Sequence, residues 1–485
     1  MMVQHYKMLI GGKWVDAKRS GIIEVVNPAT EEVFATVPAA TKEDVEEAIL
    51  KAQEAFLKWK KENPFQRGKI LRKASEIVLQ RSEKIAKTMT EELGKPVKEA
   101  KGEVEKGAEI LRYYAEEGER IYGRVIANEE KDTESIVVYE PIGVAAAITP
   151  WNYPIELLAW KIGGALASGC TIVAKLPSET PLSPLKFVEC LVDAGVPEGV
   201  LNVITGSGGT VGPALIENPL VKRVAFTGST ETGKEILKMS ASSGIKKVTL
   251  ELGGSLPMIV FKDANLDAAV TGAVRRSFRN AGQICIAVNR IYVEREIYET
   301  FLEKFAEKTK KLVVGNSLID ENVDMGPMCT KAGVEKVERH VNDAVAKGAK
   351  IVCGGKRPSG PKFEKGFFYE PTIVRDVNHD MLIMREETFG PAVGVMPFNN
   401  IDEAIQLAND TNYGLAAIVY TNNMNIAKRC AQEIQAGNVA INNVDAGVIN
   451  APYGGWKDSG LGAEHGPEGL HEYLIQKHVR IHYFI

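Results

Sequence analysis

The sequence predicts an α/β protein with two parallel-sheet domains. The chain has 485 residues, which is more than a single hydrophobic core usually holds, so we expect it to divide into domains. Apolar strand patterns alternate with helical patterns from residue 142, and a second alternating set follows residue 254. Because this alternation produces parallel strands with helical crossovers, each set predicts one parallel sheet.

Local patterns predict the individual strands and helices. KMLIGGKWV (7–15) predicts two short strands around a Gly-Gly turn, and Thr41 precedes an amphipathic helix. The alternating C-terminal segment YLIQKHVRIHYFI predicts a strand that is added to a sheet of this or another subunit. A charged helix is predicted from Tyr298 to about Lys311. The other predicted strands are IGVAAAI, CTIVAK, VLNVI, VKRVAF and VTLEL in the first set, and MIVF, RIYVE, AVGVMPF, AAIVYT and GNVAIN in the second.

Composition excludes several classes of protein. With 45% hydrophobic and 25% charged residues and a net charge of -4, the chain is typical of globular proteins, and no basic block indicates a nucleic-acid or membrane partner. No apolar run reaches the roughly 18 residues of a membrane-spanning helix, and the N-terminal residues lack a signal-peptide centre, so a cytoplasmic location is expected. The six cysteines are too scattered to predict a metal site or a disulfide framework.

Several segments of the first set indicate a ligand site. Gly-rich turns follow two predicted strands, at ITGSGGTVG (204–212) and FTGSTETGKEI (226–236). A helix that begins at such a turn presents free N–H groups to an anion such as a dinucleotide pyrophosphate, although the full GxGxxG pattern is absent. TPWNYP and LELGG place Asn152 and Glu251 at the carboxyl ends of strands, where open α/β sheets bind their ligands. Cys285, in RNAGQICIAVNR, is either a small buried residue or a nucleophile, since a cysteine can serve as either.

Eight segments together resemble one family. They are TPWNYP, AKLPSETPLS, FTGSTETG, LELGG, NAGQIC, REETFGP, NDTNYGLAA and APYGGWKDSGLGAEHG. Over essentially its whole length the chain resembles the NAD(P)-dependent aldehyde dehydrogenases of the hydrolytic, non-acylating type. The resemblance implies two Rossmann-like domains, one for the cofactor (1–118 and 140–250) and one for catalysis (251–447). It also implies a small bridging β-sheet (119–139 and 470–485) that joins a dimer or tetramer.

The resemblance also implies roles for single residues. Cys285 would be the nucleophile, the Asn152 amide and the Cys285 N–H would form the oxyanion hole, and Glu251 would be the general base. A free thiol is only slightly ionised at neutral pH, so we expect nearby amides or the charge of the cofactor to lower the pKa of Cys285. The implied cofactor residues are Ile148, Thr149, Trp151, Lys175, Ser178, Gly208, Gly209, Phe226, Thr227, Gly228, Ser229, Leu252, Glu387 and Phe389.

One departure from the family pattern bears on the cofactor. The family commonly has Lys-Pro-Ser-Glu, whose glutamate accepts the ribose hydroxyls and repels a 2'-phosphate. In KLPSETPLS an ungapped comparison puts Ser178 in that place, beside Lys175, although a local shift could bring Glu179 there. We therefore predict that NADP is preferred over NAD.

The substrate is predicted from two positions. Arg279 lies where succinic semialdehyde dehydrogenases have an arginine for the distal carboxylate, but an ordinary ion pair would explain it equally. Trp160 stands where the second arginine is expected, so the bidentate pair is incomplete. This favours a small hydroxyaldehyde such as glyceraldehyde or lactaldehyde, with succinic semialdehyde as the alternative. A CoA-acylating enzyme and a non-catalytic protein are disfavoured because Glu251, Asn152 and Cys285 are all present.

Overall fold

The largest sheet has eight strands, and its middle strands are parallel. The structure is a computed structural model that describes residues 3–484. The predicted Gly-Gly hairpin is confirmed, and its strands extend this sheet at one edge through an antiparallel contact. In spatial order the strands are Gly460–Leu461, Lys247–Glu251, Val221–Thr227, Val144–Ile148, Thr171–Lys175, Leu201–Ile204, Met8–Ile10 and Lys13–Val15.

Helices cover both faces of this sheet because its strands are apolar on both sides. Thr41 caps the first helix as predicted: its side chain accepts from Asp44 N, and the Asp44 side chain accepts from Thr41 N. One apolar core packs the five helices from Pro64–Gln80 to Leu182–Ala194 against one face of the sheet. A second core packs Lys42–Trp59, Gly208–Ile216 and Thr230–Ser242 against the opposite face. The helices are Lys42–Trp59, Pro64–Gln80, Ser82–Leu93, Val97–Glu117, Glu156–Ser168, Leu182–Ala194, Gly208–Ile216 and Thr230–Ser242.

The second predicted set forms a seven-stranded sheet with one antiparallel edge strand, Lys350–Cys353. The remaining strands are Thr372–Arg375, Ala392–Phe398, Val288–Glu294, Leu256–Val260, Ala416–Tyr420 and Asn438–Ile441. The charged helix ends at Thr309, two residues before the predicted end. The helices of this set are Leu266–Phe278, Tyr298–Thr309, Lys331–Ala346, Leu382–Arg385, Ile401–Asn409 and Met424–Glu433. A last helix, Gly466–His471, packs instead against helix Glu156–Ser168 of the first set. The α/β fold class with two parallel sheets is therefore confirmed.

A separate three-stranded sheet joins the C-terminal strand Leu474–His482 to Thr133–Pro141 and Arg124–Ile126. The middle strand runs two residues beyond the bridging segment predicted from sequence. Strand Gly460–Leu461, which the predicted division leaves unassigned, pairs with the first sheet. The predicted domain boundaries themselves stay predictions. The smaller pairings are Gln4–His5 and Ile22–Asn27 with Glu32–Pro38, and Tyr413–Gly414 with Trp456–Lys457.

Within residues 3–484, no helix has the length and apolar character needed to cross a lipid bilayer. That part of the chain also contains no cluster of His, Cys, Asp and Glu side chains suited to a metal ion.

Candidate active site

The carboxyl ends of the central strands meet at one edge of the first sheet. Ile148 pairs with both Lys175 and Phe226, and Thr227 pairs with Glu251. Parallel strands in this register end together, so the loops that follow them share one crevice. The sequence predicted this position for Asn152 and Glu251, and the structure places both residues there.

Cys285 belongs to a loop of the second sheet that reaches this crevice. The loop begins with the short 3-10 turn Arg279–Gly282, in which Asn280 and Ala281 have φ angles of 49° and 53°. Asn280 Nδ2 donates hydrogen bonds to Asn152 O at 3.1 Å and to Gln283 O at 3.2 Å. Left-handed backbone at non-glycine residues is unfavourable unless surrounding contacts maintain it. Here those contacts tie the cysteine loop to the Asn152 loop.

The two glycines of LELGG let this segment approach the Cys285 loop and the Glu387 side chain closely. A Cβ atom added to Gly254 would lie 2.5 Å from the backbone oxygen of Cys285, and one added to Gly253 would lie 2.8 Å from Glu387 Oε2. Neither separation is compatible with normal packing. Any larger residue at either position would therefore displace the cysteine loop or the Glu387 carboxylate.

Cys285 lies between two cavities, together with Asn152 and Leu157, which line both. The first cavity has a volume of about 360 Å³ and the second about 420 Å³. A reactant on each side could therefore reach the same sulfur atom. We call these the first and second cavities below.

The first cavity collects half of the predicted cofactor residues. Trp151 and Phe389 meet edge to face across it, with ring centroids 5.5 Å apart. The predicted cofactor residues that line it are Trp151, Thr227, Gly228, Ser229, Leu252, Glu387 and Phe389. The structure does not place the other seven in its lining, namely Ile148, Thr149, Lys175, Ser178, Gly208, Gly209 and Phe226. Sequence reasoning missed further lining residues from the second half of the chain, namely Met328, Ala332, Gly333 and Lys336.

The outlying predicted residues continue along the same sheet edge. Ser178 Oγ donates to Gly206 O at 3.4 Å, which brings the Lys175 loop beside the first Gly-rich turn. A Cβ atom added to Gly208 or Gly209 would meet no atom within 4 Å, so the backbone is open there. Burial lowers the pKa of Lys175, and the charge of Glu179 opposes that effect. A buried ammonium beside open backbone suits an anionic ligand.

Two helices begin at this edge, as the Gly-rich turns predicted. Ser207 caps Gly208–Ile216 by accepting from Thr210 N, and Ser229 caps Thr230–Ser242 by accepting from Thr232 N. The positive ends of both helices therefore face the crevice. Together with the Glu387 carboxylate, which can accept from hydroxyl groups, these residues fit a dinucleotide that extends from Lys175 to Cys285.

The thiol of Cys285 is protonated at neutral pH in the protein alone. Burial, followed by the charges of Glu387 and Glu251, raises its pKa to about 12, and the Tyr453 hydroxyl only partly opposes this. The expectation that nearby amides lower this pKa is therefore wrong for the protein without ligands, while an effect of the cofactor charge stays a prediction. The physical reason is that burial of the thiol, together with the nearby carboxylates of Glu387 and Glu251, disfavours the thiolate, so a base must take the proton when the thiol reacts.

When it is ionised, Glu251 is suited to be that base, because a raised pKa makes a carboxylate a stronger proton acceptor. It is 5% exposed, and neither carboxylate oxygen has a hydrogen-bond partner among residues 3–484. Burial and then the charge of Glu464 raise its pKa well above the usual range, while Lys161 acts in the opposite direction. Lys161 itself is fully buried and donates to Glu464 Oε1 and to Thr227 Oγ1, both at 2.7 Å. An unpaired buried carboxylate is unfavourable for folding, which indicates that it has a chemical role.

Asn152 presents its side-chain amide between the two cavities. It is 3% exposed, and Nδ2 donates to Gln283 O at 3.0 Å. In the described part of the chain, Oδ1 has no hydrogen-bond partner. The second N–H of the amide is available to an oxygen atom bound beside Cys285.

The second cavity contains Arg279, as the substrate hypothesis requires, together with Arg276. Arg276 is held by protein acceptors, since Nε donates to Val444 O at 2.7 Å and Nη2 to Asp445 Oδ1 at 2.5 Å. Arg279 Nε is 3.9 Å from Glu99 Oε2, which is longer than a hydrogen bond. Arg279 is therefore the better placed of the two to bind an anionic ligand.

A stack of rings forms another wall of the second cavity. Trp160 and His465 have centroids 3.6 Å apart and planes 17° apart, and Tyr453 stacks on His465 at 4.8 Å. Burial lowers the pKa of His465 to about 3, so its ring is neutral. Glu156 also lines this cavity, and burial raises its pKa. Sequence reasoning recognised the APYGG segment but assigned no role to Tyr453 or His465, because stacking across distant segments leaves no local pattern.

Comparison with known proteins agrees with this geometry. Residues 14–479 match the aldehyde dehydrogenase family. The mitochondrial succinate-semialdehyde dehydrogenase of Oryza sativa subsp. japonica is 44% identical over 97% of this chain and 88% of its own length. The NADP(+) succinate-semialdehyde dehydrogenase of Escherichia coli (strain K12) is 44% identical over 98% of this chain and 97% of its own. The crystal structure of an E. coli NADP-dependent enzyme superposes with a TM-score of 0.96, at 43% identity, over 99% of this chain and 98% of that one.

The site thus defines an oxidoreductase in which a cysteine lies beside a cavity suited to a dinucleotide. The chain belongs to the aldehyde dehydrogenase family, whose members use NAD(P).

Proposed function

We propose that this protein oxidises a short aldehyde with a distal carboxylate, of the succinic semialdehyde type, to the corresponding acid. The observation that carries the proposal is the position of Cys285 between a cavity suited to a dinucleotide and a cavity that contains Arg279. Charge-assisted hydrogen bonds from a guanidinium to a carboxylate would orient the aldehyde carbon toward the sulfur. Two similar relatives act on succinate semialdehyde by name.

In the proposed reaction the sulfur of Cys285 attacks the aldehyde carbon while Glu251 takes the thiol proton. The new negative charge on oxygen is stabilised by the Asn152 amide and the Cys285 backbone N–H. A dinucleotide held in the first cavity by residues such as Ser229 and Glu387 would supply the hydride acceptor, and loss of hydride from the carbon atom would convert the adduct on Cys285 to a thioester. After Glu251 has lost the thiol proton to solvent, it removes a proton from water, which attacks the thioester; the C–S bond breaks, the carboxylic acid leaves and the Cys285 thiolate is protonated again. Because this base is present, water rather than CoA is the proposed acceptor.

We also propose that NADP is preferred over NAD. Ser178 is half buried and faces Gly206, whereas Glu179 is exposed. A serine beside the buried ammonium of Lys175 accommodates a 2'-phosphate, which a carboxylate would repel. The E. coli relative carries NADP(+) in its name.

A small hydroxyaldehyde, the first hypothesis from the sequence, stays as the second candidate. Trp160 occupies the wall where a second arginine was expected, and Glu156 can accept hydrogen bonds from substrate hydroxyls. Its negative charge would also weaken the binding of a second anionic group. The relatives nevertheless favour the semialdehyde that was the alternative prediction.

The C-terminal strand supports the proposal of a dimer or tetramer. Leu474–His482 is an edge strand of the three-stranded sheet, and it exposes the apolar side chains of Ile475, Val479 and Ile481. Exposed apolar edges commonly pair with another chain.

The proposal is tested by reduction of NADP with succinic semialdehyde, glyceraldehyde and propanal, for the native protein and for Cys285→Ser. We expect the highest kcat/KM with succinic semialdehyde and a loss of about 10⁴-fold in Cys285→Ser, because hydroxyl is a far weaker nucleophile here. A kcat/KM for propanal equal to that for succinic semialdehyde would contradict the substrate class, and an active Cys285→Ser variant would contradict the mechanism.

A further inference from the structure

A buried ion pair lies directly beneath the Asn152 loop. Lys95 Nζ bonds Glu103 Oε2, and both side chains are completely inaccessible to solvent. Lys95 follows helix Ser82–Leu93, and Glu103 lies on helix Val97–Glu117. Removing two charges from water is unfavourable, and apolar residues of similar size would often be at least as stable. The pair therefore calls for an explanation other than stability.

The other contacts of this pair go to the backbone of residues 152–156. Lys95 Nζ donates to Asn152 O at 2.9 Å, and it lies 3.5 Å from the centroid of the Tyr153 ring. Glu103 Oε1 accepts from Ile155 N at 2.9 Å and from Glu156 N at 3.3 Å. The cation thus holds one end of the loop, and the anion holds the other.

The same helix also holds the loop of Cys285. One turn before Glu103, Glu99 Oε2 accepts from Asn280 N at 3.1 Å. Asn280 Nδ2 then donates to Asn152 O, which is the oxygen atom that Lys95 contacts. The carbonyl of Asn152 is therefore fixed by donors from both sides, and its side-chain amide can turn only about its own χ angles.

We propose that Lys95 and Glu103 are positioning residues that set the place of the Asn152 amide relative to Cys285. This inference rests on the proposed role of Asn152 in stabilising the oxyanion. A donor of this kind acts only at short range, and a displacement of about 1 Å in an active site can cost as much as about 100-fold in rate. Glu103 is among the residues that line the second cavity, but its carboxylate and the Lys95 ammonium are inaccessible to solvent and bond each other and the loop backbone, so their effect passes through the loop.

The test is a double-mutant cycle with Glu103→Gln, Lys95→Met and Asn152→Ala. Glutamine keeps an oxygen atom for the two backbone N–H groups but removes the charge that holds Lys95. We expect each of the two pair variants to lower kcat by about tenfold, with little change in the Kd for NADP. In the Asn152→Ala background, the same changes should alter kcat by less than about twofold, because the amide that they position is gone.

A matched control is Glu472→Gln, which removes the charged partner of the buried Arg223. Glu472 Oε2 accepts from Arg223 Nη1 at 3.1 Å, and among residues 3–484 the hydrogen bonds of this side chain do not include the Asn152 loop. This variant should lower the melting temperature without changing kcat. Equal reductions of kcat by Glu103→Gln with and without the Asn152 amide would overturn the inference, since the pair would then be merely structural. If Lys95→Met does not fold, Glu103→Gln alone completes the cycle. A native kcat for Asn152→Ala would instead overturn the proposed role of Asn152.

Discussion

The two cavities beside Cys285 differ in how they are built. The first is lined largely by residues at the ends of strands and the starts of helices, such as Thr227 and Ser229. The second is lined by side chains from separate helices and loops, such as Arg279, Trp160 and His465. A dinucleotide can be bound by the common features of an α/β sheet, whereas an aldehyde must be recognised by individual side chains. Cofactor and substrate specificity are therefore set by separable parts of this chain.

The largest effect is expected in the second cavity. Arg279→Leu should raise KM for succinic semialdehyde by about 10 to 100-fold, because a charge-assisted hydrogen bond to a carboxylate contributes about 1.5–3 kcal/mol. KM for propanal should stay nearly constant, since propanal has no anionic group. Steady-state kinetics with both aldehydes measure this.

Equal increases for the two aldehydes would show that Arg279 acts in an ordinary structural ion pair with Glu99. Arg276→Leu is the comparison variant: because Asp445 and Val444 O already hold Arg276, it should reduce stability more than it changes aldehyde selectivity.

A smaller effect is expected near the first cavity. Ser178→Glu should shift the ratio of kcat/KM for NADP to that for NAD toward NAD by at least about tenfold, because a carboxylate repels the 2'-phosphate beside Lys175. Ser178→Ala serves as the control and should leave the ratio near the native value. An unchanged ratio in Ser178→Glu would mean that the 2'-phosphate is recognised elsewhere.

The smallest effect is a pH dependence of cofactor affinity. Burial raises the pKa of Glu387 to about 7, and the hydrogen bond from Gly254 N opposes this. Only the ionised carboxylate accepts from both ribose hydroxyls, so affinity is full above this pKa and falls as pH decreases through it. Titration with NAD, which has no 2'-phosphate of its own to ionise, should give a Kd about tenfold higher at about pH 6 than at about pH 8.

The Glu387→Gln variant should show weaker binding with no such pH dependence. A flat profile for the native protein would mean that Glu387 does not contact the ribose.

The sequence predicted the parts that depend on local patterns. The alternation of strands and helices, the Thr41 cap, the Gly-Gly hairpin and the two helix starts at Gly-rich turns are all confirmed. Asn152 and Glu251 could be placed at strand ends because parallel strands end on the same side of a sheet. The domain boundaries and the roles of single residues stay predictions.

What the sequence could not predict depends on contacts between distant segments. Lys95 and Glu103 meet under the Asn152 loop, and His465 inserts between Trp160 and Tyr453, without any signal in their neighbours. The pKa of Cys285 was misjudged for the same reason. Its rise to about 12 requires knowing that Cys285 is partly buried and that Glu387 and Glu251 both lie near its sulfur atom.

The central claim is that Cys285 forms a covalent acyl intermediate, which Glu251 helps water to hydrolyse. The most direct measurement is mass spectrometry of Glu251→Gln after mixing with succinic semialdehyde and NADP, followed by acid quenching and digestion. We expect a succinyl group to accumulate on the peptide that contains Cys285, together with one equivalent of NADPH that forms more slowly than in the native protein, because Glu251 no longer takes the thiol proton. Formation of NADPH without acylation, or acylation at another cysteine such as Cys329, would contradict it.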